Sequence, residues 1–95
     1  MWKMKFREIS WSAEKDEMLR SEPGRGGIGL AECAVAIEEG RILADLPHPK
    51  RPNQRMFVIE INDYAYVVPY VIDDGCIFLK TMFPSRKHLA QYLRH

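Results

Sequence analysis

The sequence predicts an α+β fold in which a small, mostly antiparallel sheet packs against two N-terminal helices and one C-terminal helix. The sheet is made of an N-terminal strand and a C-terminal three-stranded meander. Three observations predict this. Apolar and charged residues alternate at the N-terminus, two stretches with helical spacing follow, and from Met56 onward β-branched and aromatic runs are joined by two-residue links. At 95 residues the chain is expected to be one domain, 1–95, because single hydrophobic cores typically serve about 100–150 residues.

Trp2, Met4 and Phe6 alternate with Lys3, Lys5 and Arg7, the period of a strand with one wet face. The phase then moves to Ile9 and Trp11, which predicts a bulge near Glu8. Both tryptophans are assigned to the core. Ser12 is a suitable N-cap for AEKDEMLRSE, whose early Glu14 and late Arg20 suit the helix dipole. SEPGRGG is a breaker-rich loop. In LAECAVAIEEG, Leu30, Cys33, Ala34 and Ile37 share one helical face, and Gly40 stands where a helix-ending glycine belongs.

RILADL, Arg41 to Leu46, is a candidate short strand. The prolines of PHPKRP then keep the chain extended and outside any sheet interior. MFVIEI, YAYVVPYVI and CIFLKTMF are the meander strands, with Asn62-Asp63 and Asp74-Gly75 as hairpin turns. Pro84 ends the last strand and Ser85 caps a final helix, RKHLAQYLRH, which turns Leu89, Tyr92 and Leu93 towards the sheet. Alternation places Phe78, Lys80 and Met82 on one face of that strand, and Ile77, Leu79, Thr81 and Phe83 on the other.

With 46% hydrophobic and 28% charged residues, the composition is that of an ordinary globular domain. No apolar run approaches the roughly 18–20 residues that cross a bilayer, and the first residues do not form the apolar region of a signal peptide, so no membrane association and a cytoplasmic location are expected. Cys33 and Cys76 are too few for a disulfide framework or zinc site, and each sits among apolar residues as a free thiol would. The three histidines and two cysteines lack metal-ligand spacing, and no nucleophile elbow or dinucleotide fingerprint occurs, so neither metal nor cofactor is expected. GRGGIG lacks the lysine and hydroxyl residue of a phosphate loop and is read as a flexible turn.

The net charge of +1 conceals an asymmetry: residues 47–55 and 84–95 carry +3 each and the remainder −5. Such polarity suits a localised anionic partner. Arg86 and Lys87 stand in the first turn of the final helix, against its dipole, at a cost of roughly 0.3–1 kcal/mol each at exposed sites. Phosphate fits there, because helix N–H groups favour an anion and guanidinium adds a bidentate grip; solvated surface charge is the alternative. His88 lies within a turn of both cations, whose field would keep it neutral at pH 7. Lys50, Arg51 and Arg55 form a second basic group, in which His48 is read as a loop histidine. Tyr66, Tyr70 and Ile72 share a strand face, where tyrosine either packs in the core or, beside cations, stacks RNA bases.

ISWSAEK, IGLAECAVAI, the arginine of QRMFVIEI, and IFLKTMFPSRKHLAQYL resemble, in order, the toxins of the BrnT family, within the RelE-like group of bacterial ribonuclease toxins. Trp11-Ser12, Lys15, residues 28–34, Arg55 and Ser85-Arg86-Lys87 occupy the family's motif positions. The chain departs from that pattern with Ser12 in place of an acid, a proline-richer loop from Pro47 to Pro52, and Glu-Pro-Gly followed by Arg25 where the family has Lys-His-Gly.

The resemblance implies a RelE-like fold, metal-independent RNA cleavage that arrests growth, and neutralisation by a cognate antitoxin whose DNA-binding domain carries the complex to operator DNA. RNA cleaves through its own 2′-OH, so cationic side chains that orient the phosphate and stabilise developing charge supply much of the catalysis. Under that reading Arg86 and Arg55 hold the scissile phosphate and Lys80 and Lys87 stabilise charge. His88 or Tyr70 transfers protons, and Lys50, Arg51 and Arg94 bind RNA. The rival expectations are a non-catalytic RelE-like binding module, such as a degenerate toxin or an inhibitor of gyrase, and a regulator whose basic surface docks an acidic protein.

Overall fold

In the computed structural model, which describes residues 8–93, the described elements run β1 (Ile9–Trp11), α1 (Ala13–Arg20), α2 (Leu30–Glu38), β2 (Ile42–Pro47), β3 (Arg55–Ile61), β4 (Tyr64–Asp73), β5 (Cys76–Leu79), β6 (Phe83–Pro84) and α3 (Arg86–Tyr92). The expected α+β class is present. The strand pattern of Trp2 to Phe6 and the residues that would settle the bulge near Glu8 lie outside the described residues.

Among the described residues six strands form one mixed sheet, ordered β1-β5-β4-β3-β2, with β6 also on β4. β1 runs parallel to β5, and the other pairs are antiparallel. The candidate strand at Arg41 to Leu46 is real and forms the edge at β2, with a register shift between Ile42 and Ala44. Both hairpin turns follow from their sequences. Asn62, Asp63, Asp74 and Gly75 all adopt positive φ, as the tight turns joining twisted antiparallel strands require.

The sheet is covered on both faces, which is why β4 reads as an almost continuous apolar run. Tyr66, Val68 and Tyr70 face Leu19 of α1 and Leu30, Cys33 and Ile37 of α2 within one buried cluster. Ala65 and Val67, pointing the other way, pack with Val58 and with Leu89 of α3. Among the described residues no helix is long and apolar enough to cross a membrane. Cys33 is fully buried, and burial pushes its thiol up to about 12, with Glu32 and Asp16 adding to the shift. It is an inert core group.

The caps follow the sequence closely. Ser12 Oγ accepts from Lys15 N at 3.2 Å, and Ser85 Oγ accepts from His88 N at 3.3 Å. Gly29 begins α2, and its N–H donates to Glu32 Oε1 at 2.9 Å. Its lack of a side chain is a packing requirement, because a Cβ there would run into the Asp16 carboxylate and lie 3.0 Å from the Asp16 carbonyl oxygen. That close approach brings Arg20 between Asp16 and Glu32, at 3.0 and 2.7 Å, and ties the two helices together.

One expectation is corrected. The last meander strand does not alternate without interruption to Phe83. Between the pairs Leu79↔Tyr70 and Phe83↔Val67 the chain advances four residues while β4 retreats three. One extra residue therefore bulges at 80–82, and every side chain beyond it changes face. Met82 is buried in the cluster that contains Ile77 and Leu79, whereas Phe83 is turned outward, 40% exposed. Arg25 fixes the bulge by donating from Nη1 to the Met82 carbonyl at 3.0 Å while Nε donates to Glu22 at 2.6 Å.

Candidate functional site: a cationic cleft

The proline-rich loop between β2 and β3 has a defined shape. His48 N donates to the Gln54 carbonyl at 3.1 Å and Gln54 N to the Arg51 carbonyl at 3.0 Å, closing the loop on itself. Inside it, His48 Nδ1 accepts from Lys50 N at 3.1 Å and from Arg51 N at 3.2 Å. An Nδ1 that accepts two amide hydrogens carries none of its own, so the neutral ring holds its proton on Nε2. The loop thus displays Lys50 and Arg51, both exposed, from an ordered frame.

This loop forms one wall of an open cleft of about 700 Å³, lined by Lys15, His48, Lys50, Arg51, Gln54, Pro69, Lys80, Thr81 and Phe83. Lys15 comes from α1, Lys50 and Arg51 from the loop, and Lys80 from the start of the bulge, where its N–H donates to the Pro69 carbonyl at 2.8 Å. Lys80 Nζ also lies 5.6 Å from the Phe78 ring centroid, a cation–π distance. Four cations therefore converge from three separate segments, and none of the lining residues is acidic. Like charges are brought together only against their mutual repulsion, so an anion is the natural occupant. A second hollow, of about 330 Å³ beside α2, is lined mainly by apolar side chains such as Ile28, Val35 and Ile61, with Glu32 and Arg41 of opposite sign. It does not concentrate one charge.

Of the residues singled out from sequence, Lys50, Arg51 and Lys80 meet in the cleft. Lys15 and His48 join them there, having been noticed for their motif position and as a loop histidine respectively.

The remaining candidates do not converge on it. Arg55 pairs with Tyr70 across the sheet and points to the α1/α2 face, where Nε donates to Asp45 Oδ1 at 3.1 Å and Nη2 to the Asp45 carbonyl at 3.0 Å. Tyr70 is 1% exposed, stacks on Phe57 with ring centroids 4.2 Å apart, and donates its hydroxyl to Asp45 Oδ1 at 2.8 Å. Burial, then Asp45, raises its pKa above the ordinary phenol value. Tyr66 is also buried.

Arg86, Lys87 and His88 begin α3 on the sheet face opposite to Arg55 and Tyr70. Ser85 N donates to the Ala65 carbonyl at 3.0 Å, four residues along β4 from Pro69, or about 13 Å of strand. The expected meeting of Arg55 with Arg86 is therefore corrected: the sheet separates them, because β4 presents alternate residues to opposite faces. His88 Nδ1 lies 2.6 Å from Ser85 Oγ and its ring stacks beside Tyr92, with centroids 6.2 Å apart. Its pKa is lowered first by burial and second by Lys87. Arg94 lies outside the described residues.

Among the described residues no three His, Cys, Asp or Glu side chains come together as a metal-holding group. Chemically, the cleft can neutralise a phosphodiester, orient it, and offer His48 Nε2–H as a hydrogen-bond donor. Compared with protein-family models, curated proteins and solved structures, the chain matches none.

Proposed function

We propose that the chain is a ribonuclease toxin of the kind its sequence resembles. In this reading it acts in the cytoplasm, binds RNA through the cationic cleft, and cleaves it without metal by way of the RNA's own 2′-OH. A cognate antitoxin with a DNA-binding domain neutralises it by laying an acidic segment in the same cleft. The observation that carries this reading is the convergence of Lys15, Lys50, Arg51 and Lys80 on one open cleft without an acidic lining residue. Electrostatic stabilisation of a phosphorane-like transition state needs donors and cations already in place, and those side chains supply them.

The non-catalytic alternative, a binding module of the same architecture, is favoured by one specific observation. The proton-transfer candidates Tyr70 and His88 lie outside the cleft, and His48 Nδ1 is occupied by amide donors. Incubating the chain with RNA in a metal chelator separates the readings. Cleavage by the wild type and not by a Lys50→Glu, Arg51→Glu variant supports the toxin. Binding without cleavage supports the module. Absence of both removes RNA from the account.

A further inference from the structure

We infer that the cleft takes single-stranded RNA and that the exposed ring of Phe83 is the platform on which one unpaired base stacks. This rests on the reading of the cleft as an RNA-phosphate site and adds the form of the RNA. Met18, Val35, Ile72 and Phe83 are the large apolar side chains left exposed among the described residues, and of these Phe83 alone lines the cationic cleft. Its exposure is a consequence of the bulge. Had β5 continued in phase, Phe83 would share the face of Ile77 and Leu79 and enter the core; the extra residue sends Met82 there instead and places Phe83 opposite Val67. Bulges that re-aim one side chain are characteristic of binding and catalytic sites.

Phe83 is held at that position from both sides. β6 pairs with β4 at Tyr66 and Val67, and Arg25 holds the carbonyl of the preceding residue, Met82. An aromatic face among Lys80, Lys50 and Arg51 is the combination by which single strands are bound, with the backbone neutralised by cations and a base lying on the ring. A base within a duplex is already stacked on both faces and has none to offer, so the ring selects unpaired RNA. The tyrosines that the sequence suggested for stacking, Tyr66 and Tyr70, are buried, and Phe83 takes the role instead.

The test measures binding of a 2′-O-methyl oligouridine, which cannot be cleaved through its 2′ position, and of a duplex RNA of the same strand length. Wild type is compared with Phe83→Leu, Phe83→Tyr and Lys50→Glu, each checked by circular dichroism. The single strand is expected to bind Phe83→Leu about tenfold or more weakly, given the worth of a base–aromatic stack, and Phe83→Tyr as it binds wild type, with duplex binding equal in all three. If Phe83→Leu binds the single strand normally while Lys50→Glu does not, the stacking site is wrong and the phosphate cleft stands. If neither substitution matters, both are wrong. A direct measurement on unmodified protein stands beside these: a 5-bromouridine oligonucleotide, irradiated in complex with wild type, should crosslink at Phe83, and absence of a crosslink at that residue overturns the proposal.

Discussion

The Tyr70 hydroxyl donates to Asp45 Oδ1 at 2.8 Å, and the same oxygen accepts Arg55 Nε at 3.1 Å. A buried strand tyrosine is thereby tied to the edge strand β2, and Arg55 is committed to a structural partner. Tyr70→Phe removes one bond to a charged acceptor and leaves the ring stacked on Phe57. A loss of about 1–2 kcal/mol in unfolding free energy is expected by urea denaturation, with RNA binding unchanged. Normal stability with lost RNA binding would return Tyr70 to the site.

Gly29→Ala places a methyl group against Asp16, where the α1/α2 junction has no room. The backbone at Gly29 is ordinary extended chain, φ −122°, so the penalty is steric. Overpacking of this kind typically costs about 1–3 kcal/mol, and displacing Asp16 also loosens the Arg20 bridge. Thermal melting should show the loss, and Gly26→Ala, which meets no atom within 4 Å but has φ +63°, should lose stability through backbone strain alone.

The stability of the chain should fall in two steps on acidification. Burial, reinforced by Lys87, depresses His88 in the native state, so the unfolded chain takes up a proton first as pH falls. Stability is therefore complete above the ordinary imidazole value of about 6.5 and declines below it until the native ring also protonates. The second step belongs to carboxylates. The Arg20 hydrogen bond depresses Glu32; at Asp16 burial acts upward, but Arg20 and the Ala31 and Leu30 amides outweigh it. Their contribution is present above the ordinary carboxylate range, near pH 4, and is lost as pH falls through the lower native values. Urea midpoints against pH should show both declines, and His88→Gln should abolish only the upper one.

His48 organises its loop through Nδ1, a role that an asparagine Oδ1 can fill because it too accepts amide hydrogens two and three residues on. His48→Asn should preserve slow hydrogen exchange at the Lys50 and Arg51 amides, and His48→Ala should lose it. If the Nε2–H also contacts phosphate, His48→Asn binds RNA a few-fold more weakly than wild type while its loop stays intact. Equal exchange in all three proteins would contradict the loop geometry.

Much of this architecture is legible from local chemistry. Asn62-Asp63 and Asp74-Gly75 specify their turns because those residue types tolerate positive φ, and Ser12 and Ser85 specify helix starts because their hydroxyls satisfy free amides. The bulge at 80–82 is not legible, since Met82 and Phe83 are both apolar and either phase satisfies the core. Nor can alternation say which face of β4 is covered, which left Tyr66 and Tyr70 open between core and RNA platform; both faces turn out to be covered. The cleft itself is tertiary. Lys15 meets Lys80 through the parallel pairing of β1 with β5, and Lys50 and Arg51 meet them because the loop closes through His48, Arg51 and Gln54. The convergence attributed to Arg55 and Arg86 fails for the same kind of reason, a partner at Asp45 and an intervening sheet.

Two separate basic clusters, the cleft and the start of α3, make a direct comparison possible. Total RNA would be incubated in chelator with wild type, with Lys50→Glu, Arg51→Glu and with Arg86→Ala, the fold of each verified by circular dichroism. Cleavage by wild type and Arg86→Ala, with loss in the cleft variant, is the predicted result. Cleavage that survives in the cleft variant and disappears in Arg86→Ala would contradict it and move the site to the start of α3.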